Sequence, residues 1–272
     1  ITTWAIYPED DAQSLHTRMT DSAVAIAGIG AAAYLDSTAI INAAREVGCD
    51  AIHPGYGFLS ENAAFASSCH DAGLTFVGPR PETLALFGDK AKARAFATQH
   101  NVPVVPGTSG ATTYDEAHVF MSSLGRNAAV MVKAIAGGGG RGMRPVTNSE
   151  QLADAMERCS SEALQSFGNS DVYVEQLFSR VRHIEVQIIG DGTGAVTHLW
   201  ERECSLQRER QKILEMAPAP FLRPAIRARL LQAATNLAVA SKYLNAGTFE
   251  FLVDAADDSD DTAIAFIEAN VR

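Results

Sequence analysis

From Lys133 to Met143 the chain reads KAIAGGGGRGM, four consecutive glycines with a lysine shortly before them and an arginine directly after. Glycines carry no side chain to block a ligand, and they leave backbone N–H groups free to point at phosphate oxygens. A flexible linker would bring serine or proline and polar flanks, whereas the preceding stretch, Ala128 to Ile135, is apolar and strand-like. A phosphate-binding loop is the better reading. A Walker loop must end in Gly-Lys-Ser/Thr, and this one ends Gly140-Arg141-Gly142-Met143. Gly137, Gly139 and Gly142 satisfy G-x-G-x-x-G, but a dinucleotide fold requires the glycines to open a helix directly. Here Met143-Arg-Pro-Val146 reads as a returning strand. A helix is expected only from Thr147, with Glu150 as its capping-box partner, running through Leu152, Met156 and Ala163. The glycines thus join two antiparallel strands as a flap over a nucleotide, an arrangement that suits an ATP lid.

The rest of the chain sets bounds on this reading. At 272 residues, 47% of them hydrophobic, it can hold two or three small domains with packed cores. A net charge of −10 argues against a nucleic-acid or anionic-membrane partner, because no broad basic face is available. Cys49, Cys69, Cys159 and Cys204 form no C-x-x-C pair, so neither zinc nor a disulfide framework is suggested. No apolar span or signal peptide is visible, and a cytoplasmic location is expected, or the mitochondrial matrix in a eukaryote. Both ends fall inside strand-like runs, Ile1–Tyr7 and Ala265–Arg272, so the chain is expected to be part of a longer protein.

Residues 1–78 alternate short apolar runs (Thr3–Tyr7, Ala23–Ile26, Ala51–His53, Thr75–Val77) with helical stretches over Ser37–Val47 and Ser60–Asp71, which predicts an open, largely parallel sheet. A helical linker follows at 79–101, then a small α+β unit at 102–177 that contains the glycine loop. Residues 178–272 hold a strand at His183–Ile189, a turn at Gly190–Gly194 and a strand ending near Trp200. A basic loop, a helix over Pro224–Tyr243 and a terminal hairpin with an acidic tip at 254–261 complete the region.

Several groups suggest chemistry. His53-Pro-Gly-Tyr-Gly-Phe-Leu-Ser-Glu-Asn62 reads as a strand end, a glycine turn and a helix start capped by Ser60, a natural place for an anion, although an ordinary βα turn reads the same. Glu250 and Glu268 stand on the two arms of the terminal hairpin, with Asn270 on the face of Glu268, among Phe249, Phe251, Phe266 and Ile267. A carboxylate in an apolar strand is costly unless paired or metal-bound, and two carboxylates with an amide suit Mg²⁺. A solvent-facing edge strand is the alternative; beside a phosphate loop, metal binding is the better reading. Lys90 and Lys133 are candidate phosphate cations. The charged stretch Glu201–Lys212 is dense enough to hold an anion the size of bicarbonate or phosphate.

Taken together, these segments resemble biotin carboxylase, an ATP-grasp enzyme of the biotin-dependent carboxylases. The matching strings, in order, are HPGYGFLSEN (His53–Asn62), GDK (Gly88–Lys90), GGGGRGM (Gly137–Met143), RHIEVQ (Arg182–Gln187), ERECSLQR (Glu201–Arg208), QK with APAP (Gln211–Pro220), AGTFEF (Ala246–Phe251) and FIEANVR (Phe266–Arg272). The resemblance implies an α/β and α+β chain: a pre-ATP-grasp parallel α/β domain (1–78), a helical linker (79–101), an ATP-grasp lid subdomain (102–177) and the start of the ATP-grasp C-terminal subdomain (178–272). It implies MgATP-driven activation of bicarbonate as carboxyphosphate and carboxylation of carrier-linked biotin. The implied partners are a biotin carboxyl carrier domain, a carboxyltransferase part and, in the full-length enzyme, further copies of the chain.

By position, Lys90 and Lys133 would contact ATP phosphates, and Gly139 and Gly140 would supply lid N–H groups. Glu175, Gln176, Leu177 and Phe178 would form the adenine hinge, and His183 and Gln207 would approach the nucleoside. Arg210 stands at the nucleotide contact where many members carry histidine. Lys212 would contact bicarbonate, Glu250, Glu268 and Asn270 would ligate Mg²⁺ or Mn²⁺, and Arg272 would stabilise carboxyphosphate and the biotin enolate. The family's following Gln-Val-Glu-His segment, whose glutamate is the bicarbonate base, is not among these residues. The stretch by itself is therefore expected to bind nucleotide weakly at most and not to turn over. Another ATP-grasp ligase, such as a carbamoyl-phosphate synthetase, and a non-catalytic ATP-binding module are the competing readings.

Overall fold

In a computed structural model the chain is described over residues 1–125, 129–136, 142–178, 180–209, 211–255, 257 and 259–272, apart from the side chain of residue 167. Gly139, Gly140 and Arg210 of the expected site, with Gly137 of the glycine pattern, lie outside the described residues. Strands β1 (Trp4–Tyr7) and β2 (Ser22–Ala25) pair in parallel across the short helix α1 (Leu15–Met19). After α2 (Gly30–Ala33) and α3 (Ser37–Glu46), β3 (Ala51–Ile52) pairs in parallel with β4 (Thr75–Phe76) across α4 (Ala63–Asp71). The expected parallel strands are present, as two separate two-stranded ladders. Asp36 caps α3 by accepting from the Ala39 N–H. Helix α4 starts at Ala63 and is capped by Asn62, not Ser60, because Ser60 is buried in a turn whose N–H donates to Gly57 O at 2.9 Å.

The linker is two helices, α5 (Pro81–Phe87) and α6 (Lys90–Gln99), broken at Gly88-Asp89. Pro81 occupies the first turn of α5, where its missing N–H costs nothing. The Asp89 carboxylate accepts from the N–H groups of Ala91 (2.9 Å) and Lys92 (3.1 Å), which makes Lys90 the first residue of α6.

The lid is an antiparallel sheet of β5 (Val130–Ala134), β6 (Met143–Val146) and β7 (Val172–Gln176) in the order β6-β5-β7, covered by α7 (Tyr114–Ser123) and α8 (Leu152–Phe167). Strands β5 and β6 are antiparallel, with Lys133 opposite Met143, so the strand–loop–strand expectation holds. Val130, Val132 and Ala134 face the core, which puts Lys133 on the other face by the two-residue period of a strand. The expected cap at Thr147 is absent: a 3₁₀ turn at Ser149–Gln151 comes first, and Asn148 accepts from the Glu150 N–H.

The largest sheet follows, antiparallel throughout: β8 (Val181–Asp191), β9 (Val196–Arg208), β10 (Gln211–Met216), β11 (Leu244–Asp254) and β12 (Ile264–Val271) in the order β10-β9-β8-β11-β12, with α9 (Pro224–Ala240) packed on it. The expected basic loop at 201–212 is instead mostly the β9–β10 hairpin. Its charges are tolerated in strands because Arg202 meets Glu185, Glu203 meets Arg182 and Glu201 meets Arg227. One core unites Ile184, Val186, Ile188, Phe249, Phe251 and Phe266 with α9 and with Leu84, Phe87, Ala93 and Ala97 of α5 and α6. The Phe87 ring meets Phe249 edge-on at 5.2 Å. The linker helices are thereby seated on the C-terminal sheet, with Lys90 next to β12.

Candidate active site

Alternation places the site. In β8, Ile184, Val186 and Ile188 point into the core, so His183, Glu185 and Gln187 share the opposite face. In β11, Phe249 and Phe251 point inward, and Glu250 belongs to the His183 face. A one-residue bulge in β12 keeps Glu268 opposite Glu250 and Asn270 opposite Thr248. These residues line one cleft of about 1140 Å³ together with Lys90, Gln207, Lys212, Arg272 and the turn residues His53, Tyr56 and Glu61.

Glu250 is the centre of the polar network. Its carboxylate lies 2.5 Å from His183 Nε2 and accepts from Lys212 Nζ at 2.7 Å and Asn270 Nδ2 at 2.5 Å. Burial works against its charge, but His183 and Lys212 outweigh that and pull its pKa down to about 2. Gln207 Nε2 lies 2.7 Å from His183 Nδ1 and also donates to Cys204 O at 2.9 Å. With the glutamine amide donating to Nδ1, the proton of a neutral His183 sits on Nε2, facing Glu250. Lys212 also reaches Glu185 at 2.6 Å. Burial disfavours its charge, yet Glu250 and Glu185 more than compensate and raise its pKa.

At the mouth, Lys90 Nζ lies 3.6 Å from Glu268, and Arg272 bridges Asn270 Oδ1 (3.3 Å) and Glu61 (3.3 Å). Burial raises the Glu61 pKa against the pull of Arg272. The contact crosses from the glycine-rich turn of the first region to the residue directly after β12.

Lys133 and Glu175 are not in the lining of this cleft; they form a buried ion pair on the lid side. Burial pushes the Lys133 pKa down, Glu175 pulls it up, and the neighbouring Lys90 lowers it again. At the end of β7, the Gln176 N–H donates to Pro106 O and the Leu177 N–H to Ala129 O, both at 2.8 Å, and Phe178 follows directly.

Glu250, Glu268 and the Asn270 amide form a hard oxygen donor set on one face of two paired strands, and the low pKa of Glu250 keeps it ionised, so the residues fit a divalent cation. A second group, Glu185, Cys204 and Glu215, also lies close together. It fits a metal poorly, because burial with Glu185 nearby pushes the Cys204 thiol up to about 12 and so disfavours the thiolate that a metal takes.

Glu185, Gln187, Arg202 and Glu61 were not singled out from the sequence. The first two carried a signal, since RHIEVQ puts His183, Glu185 and Gln187 on one face of a strand. Arg202 binds Glu185 (2.6 Å) and Gln187 Oε1 (3.0 Å) across the ladder.

Residues 1–84 match the family model of the biotin carboxylase N-terminal domain, and residues 89–272 that of the carbamoyl-phosphate synthase L chain ATP-binding domain. The chain is 50% identical over 276 residues to mitochondrial pyruvate carboxylase of Mus musculus, all of this chain against 23% of that protein. A biotin carboxylase–β,γ-ATP complex from Campylobacter jejuni superposes with a TM-score of 0.94 at 41% identity, covering 100% of this chain and 60% of that one. The biotin carboxylase domain of Hydrogenobacter thermophilus 2-oxoglutarate carboxylase, with MgADP, ADP and bicarbonate, gives 0.91 at 39% identity, covering 100% and 59%. The chain thus spans about a quarter of its curated relative and three-fifths of these solved domains.

Proposed function

The chain belongs to the biotin carboxylase family, and from this membership we propose that its cleft binds MgATP and bicarbonate for the ATP-dependent carboxylation of carrier-linked biotin. The observation that carries the proposal is the convergence of Lys90, His183, Gln207, Lys212, Glu250, Glu268, Asn270 and Arg272, drawn from α6, the five strands of the largest sheet and the residue that follows β12, on one cavity. On this reading residues 1–78 are the N-terminal domain, 79–101 the linker, 102–177 the lid and 178–272 the start of the C-terminal subdomain.

Lys90 and Lys133 contact the phosphates, with Gly139 and Gly140 of the lid as N–H donors. The hinge at Glu175–Phe178 receives the base, its edge read by Phe178 and by backbone carbonyls, because the Gln176 and Leu177 amides are engaged. His183, oriented by Gln207, and Arg210 serve the nucleoside. Glu250, Glu268 and Asn270 would hold Mg²⁺ or Mn²⁺, and the chemistry such an ion would supply is neutralisation of phosphate charge. Lys212 stays charged and faces bicarbonate, and Arg272 steadies the anion formed as the γ-phosphoryl passes to a bicarbonate oxygen. The same arginine would face the biotin enolate, with the carrier domain, the carboxyltransferase part and partner copies belonging to the longer polypeptide. That a similar relative is a pyruvate carboxylase supports a keto acid as final acceptor.

Replacing Glu268 by Gln in the natural full-length polypeptide is expected to lower bicarbonate-dependent ADP release by at least about a hundredfold, as loss of an electrostatic partner at a phosphoryl-transfer site does. Unchanged ADP release would favour a scaffold role.

A further inference from the structure

Helix α6 carries a second cation one turn beyond Lys90, on the same face. The side chain of Arg94 is only 12% exposed, and Nη1 lies 3.5 Å from Glu175 Oε2. Nη2 donates to Val105 O at 2.6 Å, and the guanidinium carbon stands 5.7 Å from the centre of the Tyr173 ring. The Tyr173 hydroxyl donates to the same Glu175 oxygen at 3.3 Å, while the other oxygen takes Lys133. One buried carboxylate therefore serves two cations. The segment through Val105 also joins the two sheets: Val104 bridges to Phe266 of β12, and Gly107 to Glu175 of β7.

Phosphate contact requires Lys133 to leave Glu175. A buried carboxylate stripped of its only cation is strongly disfavoured, so a lysine paired with it alone would be held back. With Arg94 on the other oxygen, the carboxylate stays compensated throughout. We propose that Arg94 is a positioning residue for nucleotide binding, holding the charge of Glu175 so that Lys133 is free to move to a phosphate. This rests on the reading of the cleft as an ATP site.

The test uses Arg94→Gln, Glu175→Gln and the double variant in the natural full-length polypeptide, with MgADP titrated by calorimetry and KM for ATP compared with kcat. Arg94→Gln is expected to weaken MgADP binding and raise KM by about tenfold or more, with kcat changed less, because a buried charge loses its partner. In the double variant affinity returns to that of Glu175→Gln alone, since no charge is left to compensate. Unchanged affinity in Arg94→Gln would overturn the proposal. So would a double variant as weak as Arg94→Gln, which would reduce Arg94 to an anchor for Val105 and Tyr173. Should Arg94→Gln fail to fold, Arg94→Lys decides: affinity near that of the unsubstituted protein supports the charge role, and a tenfold loss contradicts it. Failure of the unsubstituted protein to bind MgADP would instead sink the ATP reading itself.

Discussion

Glu250 shows how much of the site depends on one side chain. It is buried at 1% exposure among phenylalanines, yet it remains charged because His183, Lys212 and Asn270 all face it. Its pKa falls from an ordinary 4.5 to about 2. A depressed carboxylate adds stability that is fully present above its unfolded pKa and is lost as pH falls through the folded one. Thermal stability is therefore expected to drop between about pH 4.5 and pH 2, and Glu250→Gln should flatten that slope across the interval, whatever it does to the plateau. An unaltered slope would mean that other carboxylates govern acid unfolding. The sequence announced Glu250 as a charge in an apolar strand, but it read as a metal ligand only; its three protein donors come from β8, β10 and β12 and are joined only by folding. Arg94 carried no signal at all, being one basic residue on a helix of ordinary composition.

At the level of elements, local chemistry was the most legible part. The strand–glycine–strand reading of 128–146 held because period-two burial of Val130, Val132 and Ala134 is written in the residues. The boundaries that slipped did so where a neighbouring polar residue captured the cap: Asn62 in place of Ser60, Asn148 in place of Thr147. The charged stretch at 201–208 reads as loop until its cross-strand partners are known, because only tertiary ion pairs make a strand of such composition tolerable. Asp89 tests how far a cap reaches into function. Its carboxylate fixes the first turn of α6, which holds Lys90. Asp89→Ala is expected to cost about 1 kcal/mol of stability, read from urea denaturation, and to raise KM for ATP more than it lowers kcat. An unchanged KM would separate the cap from the nucleotide site.

Across the whole molecule, two linkages give the cleft its shape, and neither is visible in any local pattern. One is the shared core in which Phe87 meets Phe249, seating the linker helices on the C-terminal sheet. The other is the Arg272–Glu61 contact between residues 211 positions apart. The lid keeps a core of its own, built from Val130, Val132, Cys159 and Val174. Phe87→Ala should cost about 3–5 kcal/mol and expose amides of α6, β11 and β12 to hydrogen exchange, while those of β5 and α8 change little. Equal loss of protection in the lid would mean a single cooperative unit. The central claim, that this cleft activates bicarbonate with ATP, is tested most directly by isotope transfer in the natural full-length polypeptide. With ¹⁸O-labelled bicarbonate, the phosphate released is expected to carry one bicarbonate oxygen, because the γ-phosphoryl group bonds to that oxygen before the C–O bond breaks. Phosphate whose new oxygen comes only from water would contradict the account.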